Sequence, residues 1–301
     1  MTVRIITGFS GYKTESSNAI AIGTFDGVHL GHRTVIEKAV GGSFEPSVMT
    51  FQRPPANILR GGSPLITSES IKREIIKSLG IKNYFLPNFS DVRNLSPEEF
   101  ADLLIVKLGA KKIICGFNFR FGKGASGNAE DLTRLANERG AKTIIVPPVS
   151  IDDVAISSTD IRKMIEQGEI DRANKCLGRP FSFDFEVSHG AHLGTDFMQV
   201  PTINQQWCDG FVVPKFGVYA SKVNIGGDIY KSITNIGTAP SVQNNSLRAE
   251  THIFGFNGTL YGENPTVQLY NFLREEKKFA NIDELKSQIL SDSEKVKNAE
   301  Y

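Results

Sequence analysis

The sequence predicts an α/β domain built on a parallel sheet, followed by an antiparallel all-β barrel or sandwich that ends in one helix. Three observations predict it. Up to about residue 180, short apolar runs alternate with stretches of helical period. After about residue 182, helical patterns vanish until the last twenty residues, leaving β-type alternation punctuated by turn residues. The charges divide at the same place: residues 1 to 182 carry 24 basic and 19 acidic groups, and residues 183 to 301 carry 10 and 14. The near-neutral whole is therefore a sum of unlike halves, and a polyphosphate ligand favours the first. We expect domains at 1–182 and 183–301.

The expected strands of the first domain are Val3 to Ile6, Ala19 to Thr24, Ser47 to Phe51, Lys112 to Cys115 and Thr143 to Val146. One helix is marked at both ends, with Ser96 as N-cap, Pro97 as first helical residue, Glu99 as capping-box partner and Gly109 after the last periodic residue. A second runs from Asp131 to Glu138 before Gly140, and a third starts in the Ser157 to Thr159 cluster and stops near Gly168. In the second domain, Gly226-Gly227-Asp228 and Asn257-Gly258 read as hairpin turns, and a last helix spans Ile282 to Ser291 with Asn281 as its cap.

Composition excludes several classes. Near balance between 34 Lys+Arg and 33 Asp+Glu argues against a nucleic-acid partner. The 3 cysteines, Cys115, Cys176 and Cys208, stand apart, so neither a disulfide framework nor a zinc site is indicated. No window approaches the roughly 20 apolar residues of a membrane helix. The expectation is a cytoplasmic protein without a membrane partner.

The densest chemistry lies in Gly23-Thr24-Phe25-Asp26-Gly27-Val28-His29-Leu30-Gly31-His32, which follows an apolar strand and opens a helix. Strand, Gly-rich turn and helix N-terminus make an anion site, because free N–H groups and the helix dipole face the loop. The spacing is neither GxGxxG nor a P-loop. His29 and His32 can donate hydrogen bonds to a phosphate; as alternatives they are a capping pair or ordinary surface histidines. Ser157-Ser158-Thr159, with Arg162 one turn on, gathers hydroxyls and a guanidinium at another helix start, which suits a polyphosphate or is a plain N-cap.

GTFDGVHLGH, ICGFNFRFGKGASGN and ISSTDIRKMIEQGEIDRANKCLGRPF resemble the three signature regions of the prokaryotic bifunctional riboflavin kinase/FAD synthetase family. The resemblance implies a Rossmann-like nucleotidyltransferase domain, related to the HxGH enzymes, that joins AMP from ATP to FMN. It implies that Gly23, Thr24, Phe25, Asp26, His29, His32, Ser158 and Arg162 bind ATP, the histidines acting catalytically, and that Asn118, Phe119 and Arg120 border the flavin. For at least one phenylalanine of Phe117, Phe119 and Phe121, a core position is the competing reading.

The resemblance continues through Pro201-Thr202-Ile203-Asn204, Gly217-Val218-Tyr219, Glu250-Thr251-His252 and Leu273-Arg274-Glu275-Glu276. It implies an antiparallel β-barrel riboflavin-kinase domain with a C-terminal helix. Thr202 and Asn204 then hold Mg²⁺, Glu250 takes the hydroxyl proton and Arg274 contacts flavin; bland readings make the first two turn residues and Glu250 a solvated strand residue. ATP is co-substrate, riboflavin, FMN and FAD are the other ligands, and the chain is a monomer or self-associates weakly. Against the family pattern, Asp196 to Thr202 lacks a glycine and is one residue longer, Ile203 replaces alanine, and Ala239-Pro240-Ser241 replaces Arg-Pro-Thr. Phe51-Gln52-Arg53-Pro54-Pro55 lacks a histidine between its prolines. These departures bear mainly on the kinase. The narrower alternative keeps adenylyl transfer alone, with the barrel as a flavin-binding appendage.

Overall fold

In a computed structural model, residues 3–9, 12–52, 62–188, 202–240, 245–277 and 282–298 are described. The chain packs as two units, one comprising Met1–Leu65 and Lys72–Ser158, the other Ile66–Ile71 and Thr159–Tyr301.

The first unit holds a six-stranded parallel sheet. Its strands are β1 (Arg4–Thr7), β2 (Asn18–Ile22), β3 (Glu45–Met49), β4 (Asn83–Leu86), β5 (Ala110–Gly116) and, after the short pair β6 (Arg120–Phe121) and β7 (Gly127–Asn128), β8 (Lys142–Val146). The order is β1-β4-β3-β2-β5-β8. β4 carries no alternation and was not among the expected strands. Central β2, NAIAI, is buried throughout, as a parallel strand covered on both faces must be. Ile20 and Ile22 face a core with Phe85, Leu104 and Ile113. Ala19 and Ala21 face the opposite core with Val35, Ile36 and Tyr84.

Helices α1 (Leu30–Glu37) and α2 (Glu69–Ser78) contribute Val35, Ile36 and Ile76 to the second of these cores. After the single turn α3 (Phe89–Val92), α4 (Pro97–Asp102) and α5 (Ala129–Glu138) supply Phe100, Leu132 and Leu135 to the first. The Ser96/Glu99 capping box forms as expected. The α5 helix starts two residues before the expected Asp131, because Asn128 is its N-cap and Asp131 closes the box. A hairpin of β9 (Ser150–Ile151) and β10 (Val154–Ala155) ends this unit.

From here follow α6 (Ser158–Gln167) and α7 (Ile170–Leu177), then β11 (Phe181–Phe183), β12 (Val187–Ser188), β13 (Thr202–Gln206), β14 (Gly217–Ile225), β15 (Asp228–Pro240), β16 (Asn245–Ile253), β17 (Thr266–Arg274) and α8 (Ile282–Asn298). The seven strands form an antiparallel half-barrel ordered β11-β17-β14-β15-β16-β13-β12. Inside it, Phe183 and Phe185 pack on Trp207 with centroids 5.0 and 5.1 Å apart. Three strands are also joined by a buried hydroxyl ladder: Ser221 to Thr234 at 2.8 Å and Thr234 to Thr251 at 2.9 Å. Each hydroxyl satisfies its neighbour, so the ladder is tolerated in an otherwise apolar interior.

Two expectations are corrected here. Gly226-Gly227 does turn a two-residue hairpin between Ile225 and Asp228, both glycines having positive φ. Asn257-Gly258 does not. It lies in the connection between β16 and β17, which do not pair, since β17 lies between β11 and β14. The segment is held instead by Phe256, whose ring packs against Tyr230 at 5.5 Å and would meet a Cβ at Gly258 at 2.9 Å. The final helix runs on to Asn298 rather than stopping at Ser291, because no glycine or proline interrupts it and Asp292 is anchored from β17 by Arg274 at 2.8 Å. The expected cap Asn281 lies outside the described residues.

Candidate functional sites

In the parallel sheet, the chain leaves β2 in one direction through β3 and β4 and later returns to the other side as β5 and β8. The carboxyl ends of β2 and β5 therefore flank the point where strand order reverses, where open α/β sheets bind ligands. The loop from Gly23 and the turn from Gly116 both start there.

The first loop is tightly determined. Gly23 N–H donates to the Met49 carbonyl at 3.2 Å, and Val28 N–H to that of Phe25 at 3.1 Å. The Thr50 hydroxyl donates to the Thr24 carbonyl at 2.9 Å and that of Ser158 to the Asp26 carbonyl at 3.0 Å. Phe25 (φ 48°), Gly27 (φ 82°) and Val28 (φ 38°) all occupy the left-handed region, which is strained for the two non-glycines. Both are fully buried, and so is Asp26. Gly23 is dictated by Phe25, whose ring would lie 2.8 Å from any Cβ there.

His29 is the N-cap of α1, and its Nδ1 accepts the His32 backbone N–H at 3.3 Å. That leaves the imidazole proton on Nε2. The two rings stack with centroids 3.6 Å apart, and Phe25 meets His32 edge-on. A Cβ at Gly31 would stand 3.2 Å from the His29 ring. Among the described residues, His32 Nδ1 is buried without a hydrogen-bond partner. Burial first, then the neighbouring His29, then Lys72, hold the His32 imidazole well below the usual histidine range, so it is neutral at physiological pH. The capping reading of this motif is thus realised in His29, and the two imidazoles stand together as a stacked pair.

Lys72 joins this group without being one of the expected site residues. It is buried on α2, and its ammonium donates to the Phe51 carbonyl at 2.7 Å, just past the carboxyl end of β3. The available signal was a lysine four residues before buried Ile76, on the helix's apolar stripe.

At the end of β5, Phe117 N–H donates to the Val146 carbonyl and Phe119 N–H to that of Gly116, each at 3.0 Å. Phe117, Asn118 and Arg120 are exposed, and Phe119 is half-buried. Phe121 belongs to the core, stacked on Phe119 at 5.7 Å, so the core reading holds for one of the three phenylalanines. Ser158 groups with this first unit by packing, and Arg162, one turn later on α6, with the second.

The second site lies on one face of the half-barrel. Thr202 and Asn204 are strand residues of β13, not turn residues, facing away from buried Ile203. Asn204 is directly opposite Glu250 on β16, which is opposite Asn235 on β15. Paired residues share a face. Beyond Asn235 stands Glu276, whose Oε1 accepts from Asn235 Nδ2 at 3.2 Å and whose carboxylate fills the space a side chain at Gly237 would need. Two residues before Glu250, Arg248 holds Nε 3.3 Å from Glu250 Oε1. Strand alternation, with Arg248 two residues before Glu250, is the sequence signal that places the two side by side. The neighbouring part of this face is apolar, Val218, Ala220 and Ile233 packing with Val296 of α8. Arg274 is engaged with Asp292, itself almost fully enclosed, and its Nη1 donates to the Glu275 carbonyl at 3.1 Å. The unusual residues Asp196 to Pro201, Arg53 to Pro55 and Ser241 lie outside the described residues.

Comparison with known proteins agrees with this division. A family model for FAD synthetase matches residues 12–160, and one for riboflavin kinase matches residues 177–299. A bifunctional riboflavin kinase/FMN adenylyltransferase of Listeria monocytogenes is 32% identical over 290 residues, covering 93% of this chain and 92% of the relative. One from Buchnera aphidicola (Schizaphis graminum) is 34% identical, covering 98% of each chain. A solved structure described as a macrolide-efflux protein from Streptococcus pneumoniae superposes with a TM-score of 0.86 at 29% identity, over 99% of this chain and all of the other. Among the described residues, no helix is long and apolar enough to cross a membrane.

Proposed function

Because the chain belongs to the bifunctional riboflavin kinase/FMN adenylyltransferase family, we propose that its two sites work in series, the half-barrel making FMN from riboflavin and ATP and the parallel-sheet domain making FAD from FMN and a second ATP. Adenylyl transfer is assigned to residues 1–182 and riboflavin phosphorylation to residues 183–301. The observation that carries the first assignment is the meeting of the Gly23 loop and the Gly116 turn at the reversal of strand order.

In adenylyl transfer an FMN phosphate oxygen bonds to the α-phosphorus of ATP while the bond to the bridging α,β-oxygen breaks, releasing pyrophosphate. No protein nucleophile is needed; the enzyme must align two anions and stabilise charge on the leaving group. The loop of Gly23, Thr24, Phe25 and Asp26 shapes the phosphate cradle, His29 and His32 donate to phosphate oxygens, and Ser158 adds a hydroxyl; Arg162 is assigned to ATP by the family resemblance alone. The neutral His32 imidazole, stacked on that of His29, suits this role as a fixed donor, since the loop's packing orders both rings before ligand arrives. Asn118, Phe119 and Arg120 form the flavin border, and exposed Phe117 beside them offers an aromatic face.

In the half-barrel, Glu250 accepts the proton of the ribityl hydroxyl as that oxygen attacks the γ-phosphorus. Thr202 and Asn204 fit Mg²⁺, since hard, neutral oxygen donors from one strand face leave the remaining positions to phosphates and water. When bound, Mg²⁺ supplies positive charge to the ATP phosphates. The protein is assigned to the cytoplasm as a monomer or weakly self-associating chain. A time course with riboflavin and Mg-ATP tests the whole: FMN should rise first and FAD follow. Product formed only when FMN is supplied would restrict the chain to adenylyl transfer.

A further inference from the structure

We propose that Arg248 is a catalytic cation of the riboflavin kinase site, donating its guanidinium N–H groups to the phosphoryl group in transit while Glu250 takes the proton. The proposal rests on the assignment of Glu250 as base.

Three observations lead to it. Arg248 shares the face of Thr202, Asn204 and Glu250, because it lies two residues before Glu250 on β16 and opposite Gln206 of β13. Its side chain is only 15% exposed, less than the 38% of Glu250, so the cation is the more enclosed member of the pair. Its Nε, 3.3 Å from Glu250 Oε1, is buried yet makes no hydrogen bond among the described residues. An ion pair kept for structure alone would point that N–H at the carboxylate. A buried guanidinium donor held beside the base, and off axis to it, is instead positioned for an acceptor that arrives with substrate.

The chemistry supplies that acceptor. The ribityl oxygen bonds to the γ-phosphorus, the bond to the β,γ-bridging oxygen breaks, ADP leaves, and the hydroxyl proton passes to Glu250. The non-bridging oxygens stay anionic throughout beside two carboxylates, Glu250 and Glu276, on the same face. A guanidinium between base and phosphoryl group screens that repulsion and orients the transferred group.

The test uses the full chain, whose FMN adenylylation reports an intact protein. Arg248→Gln should lower kcat for riboflavin phosphorylation about 100-fold, leave KM for riboflavin within about twofold and leave FAD formation from FMN unchanged. Added guanidinium ion should restore at least about tenfold of the loss in Arg248→Ala, and Arg248→Lys should fall between. Unchanged kcat in Arg248→Gln, or a loss that guanidinium does not restore, overturns the proposal. Wild-type phosphorylation by Glu250→Gln together with the expected Arg248 losses would remove the base assignment while sustaining Arg248.

Discussion

The two sites are built in opposite ways. In the parallel-sheet domain the candidate ligand loop is backbone, bent through left-handed positions at Phe25, Gly27 and Val28 and tied by hydroxyls of Thr50 and Ser158. Its two histidines are ordered by contact with one another. In the half-barrel the backbone is regular strand, and the site is a row of side chains brought together only by register: Asn204, Glu250 and Asn235 across three strands. The first arrangement fixes geometry by sterics and tolerates little change. The second distributes its chemistry over separately replaceable residues, so substitutions there should silence one reaction without disturbing the fold.

The largest separation of the two should come from paired single substitutions. Glu250→Gln should reduce FMN formation about 10³-fold while FAD formation from supplied FMN continues, because removing a general base loses on that order. His32→Ala should do the converse, reducing FAD formation about 100-fold with riboflavin phosphorylation retained. Both follow from product analysis by chromatography, and a joint loss of both activities in either well-folded variant would mean that the sites are not independent.

Next in size is the tether of the C-terminal helix. Asp292 is 2% exposed and paired to Arg274 at 2.8 Å, with Gln288 Nε2 at 3.0 Å and Lys295 at 4.0 Å on its other oxygen, so Arg274→Met removes its shortest charged contact and should destabilise the chain by about 1–3 kcal/mol in denaturant unfolding. The same variant separates two roles for this residue. A raised riboflavin KM at unchanged stability would identify Arg274 as a flavin contact rather than a tether.

The contrast also explains what could be read in advance. The Gly23 to His32 loop is contiguous, and its helix, strand and glycine signals are local, so its position at a strand-to-helix turn was legible. So were the Ser96 capping box and the Gly226-Gly227 turn, each set by a few neighbouring residues. What escaped was non-local. β4 is four buried or half-buried residues without alternation. Asn257-Gly258 has the composition of a hairpin turn, but the topology sends β17 to β14, and pairing outweighs the turn propensity. The enclosure of Lys72 is of the same kind, since its ammonium is held by the Phe51 carbonyl, 21 residues away in the chain.

An effect of similar size tests the steric character of the first site. Gly23 has an ordinary φ, so only space excludes a side chain there, and the obstructing Phe25 ring is 1% exposed with nowhere to move. Gly23→Ala should lower stability by about 1–3 kcal/mol and slow adenylylation, leaving phosphorylation in place. A thermal melt at wild-type temperature would show that the loop yields and is not the rigid cradle described.

The smallest expected effect is a pH dependence at the same site, beside a weaker one of the same sign from half-barrel His252, which burial and Lys297 also hold below the usual histidine range. His32 is held well below the usual histidine range by burial, by His29 and by Lys72, so the folded protein refuses a proton that the unfolded chain accepts once the pH falls below about 6.5. In that window the unfolded state binds more protons, and stability therefore declines as the solution is acidified, until the pH passes below the depressed folded value. Replacing the imidazole by Gln removes the titration, so thermal melts between pH 8 and pH 5 should fall less steeply in His32→Gln than in the wild type. Parallel curves would mean that His32 opens to solvent before it protonates, and the stacked histidine pair would then be a loose donor set rather than a preorganised one.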